Sequence, residues 1–118
     1  MFAKVLPIVI DELDLKSLPK IKLVKNVPDD EQPTFGKYEN GRHVLYLGIN
    51  NRHPIDIFRT FSHEMVHYKQ DLLKHLGPNS GDTGSPEENE AHAVAGVIMR
   101  RIDKQYPEFL NASPIVLK

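Results

Sequence analysis

The stretch Phe61-Ser62-His63-Glu64-Met65-Val66-His67-Tyr68 decides how the rest of the chain is interpreted. It contains the pattern His-Glu-x-x-His within a segment whose periodicity predicts a helix. Residues four apart lie on one face of a helix, so His63 and His67 can bind one metal ion. Glu64 would then lie beside the open coordination position, where it could act as a general base. The pattern is typical of zinc hydrolases, although chance also produces it.

The length and composition predict one globular domain. The 118 residues fit a single domain, and a second core would be too small to stand alone. Hydrophobic residues make up 40% of the chain and charged residues 26%, which is ordinary for a globular protein. The formal net charge of −1 would attract neither nucleic acid nor an anionic membrane. We therefore expect one domain, residues 1–118, with no nucleic-acid or membrane partner.

The chain contains no cysteine, so a metal site would have to use His, Asp or Glu. The apolar run at residues 5–10 is short, is interrupted by Pro7 and leads directly into Asp11-Glu12. Such a run predicts neither a signal peptide nor a membrane span. The expected location is the cytoplasm.

The first part of the chain predicts one helix and one strand. Mixed apolar spacing favours a short helix at about residues 7–16. At residues 20–25, Ile21 and Leu23 alternate with lysines, which is typical of a half-buried strand. The prolines and acids of residues 27–33 then predict a solvated loop.

A β-hairpin is the next predicted element. Residues 34–38 and 43–47 are rich in aromatic and β-branched side chains. Between them, Asn40-Gly41 tolerates positive φ and so favours a tight turn. The second strand leads into the helix that carries the His-Glu-x-x-His pattern.

That helix is predicted to begin at Pro54 or Ile55 and to end near Leu76, before Gly77-Pro78. Its apolar residues form a core stripe made of Ile57, Phe58, Phe61, Met65, Tyr68, Leu72 and Leu76. A second stripe beside it contains Thr60, His63, Glu64, His67 and Asp71. Both histidines fall outside the core stripe, as metal ligands or ordinary surface histidines would.

A second helix is predicted after a glycine-rich loop at residues 77–85. Ser85 suits the N-cap, Pro86 suits the first helical position, and the acids that follow suit the first turn. The helix is expected to end near Lys104. Its small residues would let it approach another helix closely; they are Ala91, Ala93, Ala95 and Gly96.

Three acids at the start of this helix are candidates for a third metal ligand, because two His and one Glu form a recurrent zinc site. Helical geometry places Glu90 farthest from the buried face and does not distinguish Glu87 from Glu88. Acids at a helix start also occur simply because they offset the helix dipole. The residues themselves therefore leave the third ligand open.

The His-Glu-x-x-His pattern, followed about twenty residues later by Glu88-Asn89-Glu90-Ala91-His92, resembles the gluzincin branch of zinc metallopeptidases. Residues 54–105 also look like small metallopeptidase-like proteins encoded by tailed phages. The resemblance implies a minimal zincin-like α+β domain, with a small sheet packed on the long helix. It implies that zinc is bound by His63, His67 and Glu88, and that Glu64 activates a zinc-bound water to hydrolyse a peptide or protein substrate.

One residue departs from the gluzincin pattern. His92 stands where that pattern has Asp or Asn, one turn beyond Glu88. It could bond a metal-bound histidine, stabilise an oxyanion or compete as a ligand, and we interpret it as lining the site. The oxyanion donor is open among Tyr106, His92, Tyr68 and Tyr38, although Tyr68 lies on the core stripe and suits packing better.

The resemblance further implies that a substrate adds as a strand along a sheet edge, for which residues 43–47 are the expected strand. A plain hairpin strand would fit the sequence equally well. His43, His53 and His75 are interpreted as structural or surface residues. The tail from Tyr106 onward is expected to pack over the helices or over the cleft.

Two alternatives to a peptidase are consistent with the sequence. A zinc-binding interaction protein would keep the zincin fold without turnover. A plain binding module would need no metal, and the His-Glu-x-x-His pattern would then be accidental.

Overall fold

The structure, a computed structural model, describes residues 2–25, 35–73 and 85–114. Over these ranges the chain is α+β, and its elements in order are α1 (Phe2–Leu13), β1 (Lys20–Val24), β2 (Gly36–Glu39), β3 (Val44–Gly48), α2 (Pro54–Leu72), α3 (Pro86–Gln105) and a 3-10 helix (Pro107–Asn111). The loops predicted at 27–33 and 77–84, the helix end predicted near Leu76, and His75 lie outside the described residues.

The strands and the two later helices are confirmed; their ends lie within two residues of the predicted ones, except that α2 ends at Leu72 rather than near Leu76. Both helices begin at the predicted proline, and the Ser85 hydroxyl accepts the backbone N–H of Glu88 at 3.1 Å, as an N-cap should. Helix α2 has an N-cap that the sequence did not indicate. The Nδ1 atom of His53 accepts the N–H of Ile55 at 3.1 Å, so His53 is structural, as expected.

The helix expected at residues 7–16 is wrong at both ends. Helix α1 begins at Phe2, because the buried Val5 extends the apolar stripe of Ile8 and Val9 to the residues before Pro7. It ends at Leu13, because Asp14 has a φ of 49°, which no right-handed helix accommodates.

The three strands form one mixed sheet in the order β1-β3-β2. Strand β3 pairs in parallel with β1, where Leu45 lies opposite Ile21. It pairs antiparallel with β2, where Leu45 lies opposite Tyr38. The expectation that residues 43–47 form a substrate-binding edge is therefore wrong, because β3 is the central strand and both of its sides are paired. The outer strands are β1 and β2.

Helix α2 lies at the centre of the core, between α1, α3 and the sheet. Its buried apolar residues pack with Val5 and Val9 of α1 and with Leu45 and Leu47 of β3.

Two apolar residues that were expected to be buried are exposed. Leu23 is 51% exposed, because the helices cover β2 and β3 rather than the outer strand β1, and Leu72 is 37% exposed at the end of α2.

The described part of the tail packs over the helices. Phe109 is buried, and its ring centroid lies 5.5 Å from that of Phe58 on α2. None of the helices in the described ranges combines the length and the apolar character needed to cross a membrane.

The tip of the hairpin is fastened to α2 by Asp71. The Asp71 carboxylate accepts the backbone N–H of Gly41 at 2.9 Å and the hydroxyl of Tyr38. Gly41 has a φ of 81° and His43 a φ of 55°, so the turn uses left-handed backbone. Burial, together with the bond to the negative Asp71, raises the pKa of Tyr38 well above its ordinary value near 10.

We expect Tyr38→Phe to destabilise the protein by about 1 kcal/mol at neutral pH, because it removes the hydroxyl that bonds Asp71. A pKa raised by folding contributes stability that is present below the unfolded pKa and lost as the pH rises toward the folded value. The difference in unfolding free energy between wild type and Tyr38→Phe should therefore shrink above pH 10. Urea unfolding at several pH values measures it.

Tyr46→Phe, on the strand that pairs with β2, controls for the loss of a titrating hydroxyl. A Tyr38→Phe difference that stays constant from pH 7 to pH 11 would contradict the assigned bond.

Helices α2 and α3 pack closely because α3 presents small residues to α2. Ala91 is fully buried and Ala95 is 3% exposed, whereas Ala93 points to solvent. The expectation of a close helix contact is confirmed for Ala91 and Ala95 and not for Ala93.

Ala91→Leu is expected to cost about 1–3 kcal/mol, because the added atoms would force α3 away from α2. Since Glu88 lies one turn earlier on α3, the same change should also weaken metal binding. Thermal unfolding and chelator competition would measure the two effects. Ala93→Leu makes the same substitution on the exposed face and should leave both properties nearly unchanged.

Candidate metal centre

Glu88 of α3 lies between the two histidines of α2. Its Oε1 atom is 2.7 Å from His63 Nε2, and its Oε2 atom is 3.1 Å from His67 Nε2. The two imidazole rings lie 4.9 Å apart, centre to centre. The structure thus brings together the three residues that the gluzincin resemblance implied as ligands.

His92 brings a third imidazole to the same carboxylate. Its Nε2 atom is 3.2 Å from Glu88 Oε1, and its ring centroid is 4.5 Å from that of His63. The donor atoms of His63, Glu88 and His92 all lie within 4.8 Å of one another, so these residues could hold a metal ion. Across the described ranges this is the one group of three with that mutual spacing, and His67 lies outside it.

The donor set fits a metal ion chemically. In a tetrahedral site with bonds of roughly 2.0–2.1 Å, donor atoms lie about 3.3 Å apart. The three distances from Glu88 to the imidazoles, 2.7, 3.1 and 3.2 Å, are close to that separation. All four side chains are nitrogen or oxygen donors, which suits a chain without cysteine.

Gln70 fixes the orientation of His67, and sequence reasoning missed it. The Gln70 side chain is almost fully buried, and its Oε1 atom lies 2.8 Å from His67 Nδ1. Its amide nitrogen donates to the carbonyl of Glu87 at 2.9 Å and to the carboxylate of Glu90 at 2.7 Å. Because the nitrogen is used in this way, Oε1 must accept, and His67 must carry its proton on Nδ1.

The consequence is that the Nε2 lone pair of His67 faces the Glu88 carboxylate. Two electron-rich atoms 3.1 Å apart repel one another unless Nε2 takes up a second proton or a cation contacts both atoms. Burial lowers the pKa of His63, the other α2 histidine at Glu88, despite the opposing charge of that carboxylate. The lowered pKa favours a neutral imidazole, the form that binds metal. A cation bound to both His67 Nε2 and the Glu88 carboxylate would relieve the repulsion between them.

His67 is more buried than expected. The sequence placed both histidines outside the core stripe, yet His67 is 8% exposed because α3 covers it. His63 is only partly buried and lies toward the opening of the site. Because α3 covers His67 and Gln70 bonds its Nδ1 atom, His67 could bind a metal ion only through Nε2.

Glu64 lies beside this cluster and is held by the sheet. Burial, supported by the negative charge of Glu88, raises the pKa of Glu64 to about 7, against the opposing effects of His67 and of a hydrogen bond from the backbone N–H of Tyr38. Gly36 makes this contact possible, because a Cβ atom there would come within 2.5 Å of the Thr60 side chain and 3.2 Å of Glu64 Cγ. A larger residue would push β2 away from α2.

A cavity of about 380 Å³ opens over the cluster and is lined by Phe35, Gly36, Arg59, Thr60, His63, Glu64, Glu88 and His92. A second cavity of about 470 Å³ shares Phe35, Arg59 and Thr60 with it. In that second cavity, Arg52 lies over the Phe35 ring and bonds Thr60 at 2.7 Å. The two cavities together give an extended surface next to Glu64.

Tyr106 is wrong as a site residue. It follows Glu88 by eighteen positions on α3, which is about 27 Å along a helix. Its ring stacks on Phe109 and lies under the ammonium of Lys4, so it packs at the far end of the molecule. The spacing along the helix could have excluded it.

The other oxyanion candidates from the sequence have structural partners. The Tyr38 hydroxyl donates to Asp71, and the buried Tyr68 hydroxyl lies 2.7 Å from Ser17 Oγ. His43 approaches Asp71 at 3.6 Å and Tyr68 with its ring, so it is structural as expected. Among the four candidates, His92 alone lies at the cluster.

Comparisons with known protein families, with curated proteins and with solved structures gave no match.

Gln70→Met is expected to weaken zinc binding by about 10- to 100-fold, the usual effect of removing a partner that orients a metal-binding histidine. Methionine keeps the length of the side chain and removes all three hydrogen bonds. Titration with zinc against a coloured chelator would measure the change. Gln105→Met, an exposed glutamine at the far end of α3, is the matched control, and equal affinity in both variants would contradict the assigned role.

Proposed function

We propose that the chain is a zinc-dependent metallopeptidase with a minimal zincin-like fold. In this proposal, His63, His67 and Glu88 bind zinc and Glu64 is the general base. One observation carries it: a carboxylate from a separate helix lies between the two histidines of His-Glu-x-x-His, with Glu64 in the same cavity. Two His and one Glu, with one position left for water, is a recurrent set of ligands in zinc hydrolases.

Zinc is the metal proposed, because imidazole suits zinc better than it suits magnesium or calcium. Those harder cations prefer sites made entirely of oxygen ligands. Two of the three proposed ligands here are imidazole nitrogens. When bound, zinc would lower the pKa of a water molecule and polarise the substrate carbonyl.

Glu64 would take the proton from the attacking water and pass it to the leaving amine. In the metal-free site the pKa of Glu64 is about 7, so this carboxylate is only partly ionised at neutral pH. The N–H of Tyr38 directs the carboxylate, and the sheet thereby sets the position of the base. A divalent cation beside it would lower that pKa and keep Glu64 ionised at neutral pH.

A peptide substrate would lie along β2 rather than β3. Strand β2 is an outer strand, and Gly36 together with the preceding Phe35 lines the cavity that contains Glu64. The neighbouring cavity at Arg52 and Arg59 would then receive side chains of the same peptide.

The second candidate function is a zinc-binding interaction protein that keeps the fold and does not turn over substrate. One observation favours it. With His92 included, four side chains surround the site, and zinc sites with four protein ligands are usually structural.

Glu64→Gln is expected to lower peptide cleavage by about 10²- to 10⁴-fold, the usual contribution of a general base, while zinc content stays near one ion per chain. Mass spectrometry of a mixed peptide library measures cleavage, and elemental analysis measures zinc. Glu108→Gln removes an exposed carboxylate remote from the site and should leave both unchanged.

Three results would count against the peptidase. Cleavage by Glu64→Gln at the wild-type rate would remove the assigned base. Stoichiometric zinc without cleavage by the wild type would favour the interaction protein. A wild-type chain that takes up no zinc on reconstitution would exclude both functions.

A further inference from the structure

We propose that His92 is a fourth zinc ligand in the resting protein, and that a substrate must displace it before cleavage. The inference rests on the proposed function and adds to it a means by which the site is kept closed.

The two oxygens of the Glu88 carboxylate face different histidines. Its Oε2 atom faces His67, while its Oε1 atom faces both His63 and His92, at 2.7 and 3.2 Å. An ion that contacts the carboxylate between His63 and His67 therefore has the His92 imidazole within reach on the Oε1 side. The donor atoms of His63, Glu88 and His92 already lie within 4.8 Å of one another, and binding by all four residues requires this group and His67 to move closer together.

His92 lies on the same side of the cluster as Glu64. It lines the cavity that also contains Glu64, whereas His67 is buried under α3 and held by Gln70. With His63, His67 and Glu88 as ligands, the remaining coordination position is the one next to Glu64. An imidazole that binds there takes the place of the water on which Glu64 would act.

His92 is far more exposed than the two histidines of α2. The His92 side chain is 71% exposed, compared with 16% for His63 and 11% for His67. It can rotate away from the cluster without moving any core residue, which a buried ligand could not do. His92 is thus a ligand that a bound peptide can replace, while the other three stay in place.

The test compares His92→Asn with His53→Asn in the zinc-loaded protein. Both changes remove one imidazole, and asparagine at position 53 still supplies an N-cap oxygen for α2. Zinc X-ray absorption counts the imidazoles bound to the metal, and chelator competition measures affinity. We expect three imidazoles in wild type and His53→Asn and two in His92→Asn, with zinc bound at least about tenfold more weakly in His92→Asn, since even partners outside the ligand shell contribute that much.

Peptide cleavage at saturating zinc adds a third measurement. The His92→Asn protein should cleave severalfold faster than wild type, because the position next to Glu64 is then open to water. Circular dichroism and thermal unfolding establish that each variant is folded. Slower cleavage by folded, zinc-loaded His92→Asn would overturn the claim that His92 closes the site.

The outcomes separate this inference from the proposed function. Two imidazoles on zinc in the wild type, with Glu64-dependent cleavage, would overturn the fourth ligand and leave the peptidase standing. Three imidazoles without cleavage by any variant would support the ligand and refute the peptidase. A wild type that binds no zinc would overturn both.

Discussion

The buried amide of Gln70 is the contact on which the rest of the candidate metal centre depends. Its oxygen accepts from His67 on α2, and its nitrogen donates to Glu87 and Glu90 on α3. The first turn of α3 cannot slide along α2 without breaking these bonds, and each buried polar group left unpaired would cost about 1–3 kcal/mol. Gln70 therefore holds Glu88 within reach of both α2 histidines.

The half of the site that belongs to one helix could be predicted from the sequence. The spacing of His63, Glu64 and His67 is set by the helical period, so their shared face follows from local geometry. The partner on α3 could not be derived in the same way, because Glu87 and Glu88 both lie in its first turn. Only the packing of α3 on α2 distinguishes them, and Gln70 was missed because a glutamine near the core stripe carries no motif.

The expectation that residues 43–47 form an edge of the sheet failed for a related reason. Local sequence identified the hairpin, since Asn40-Gly41 and the flanking residues specify which two strands pair. It could not show that β1 adds to the far side of β3, because that parallel pairing joins segments separated by β2. The exposure of Leu23 follows from the same placement, as β1 lies beyond the area that the helices cover.

Under the proposed function, the origin of Glu88 on a helix separate from that of the two histidines would make the stability of the folded chain depend on metal supply. An ion held by both helices binds the folded chain far better than the unfolded one, where these donors are scattered. At a free concentration 100 times its dissociation constant, such an ion would add roughly 2.7 kcal/mol to the free energy of unfolding. Folded stability of a small domain is only about 5–15 kcal/mol, so zinc availability would set a large share of it. Scarcity of zinc would then raise the unfolded fraction of the chain.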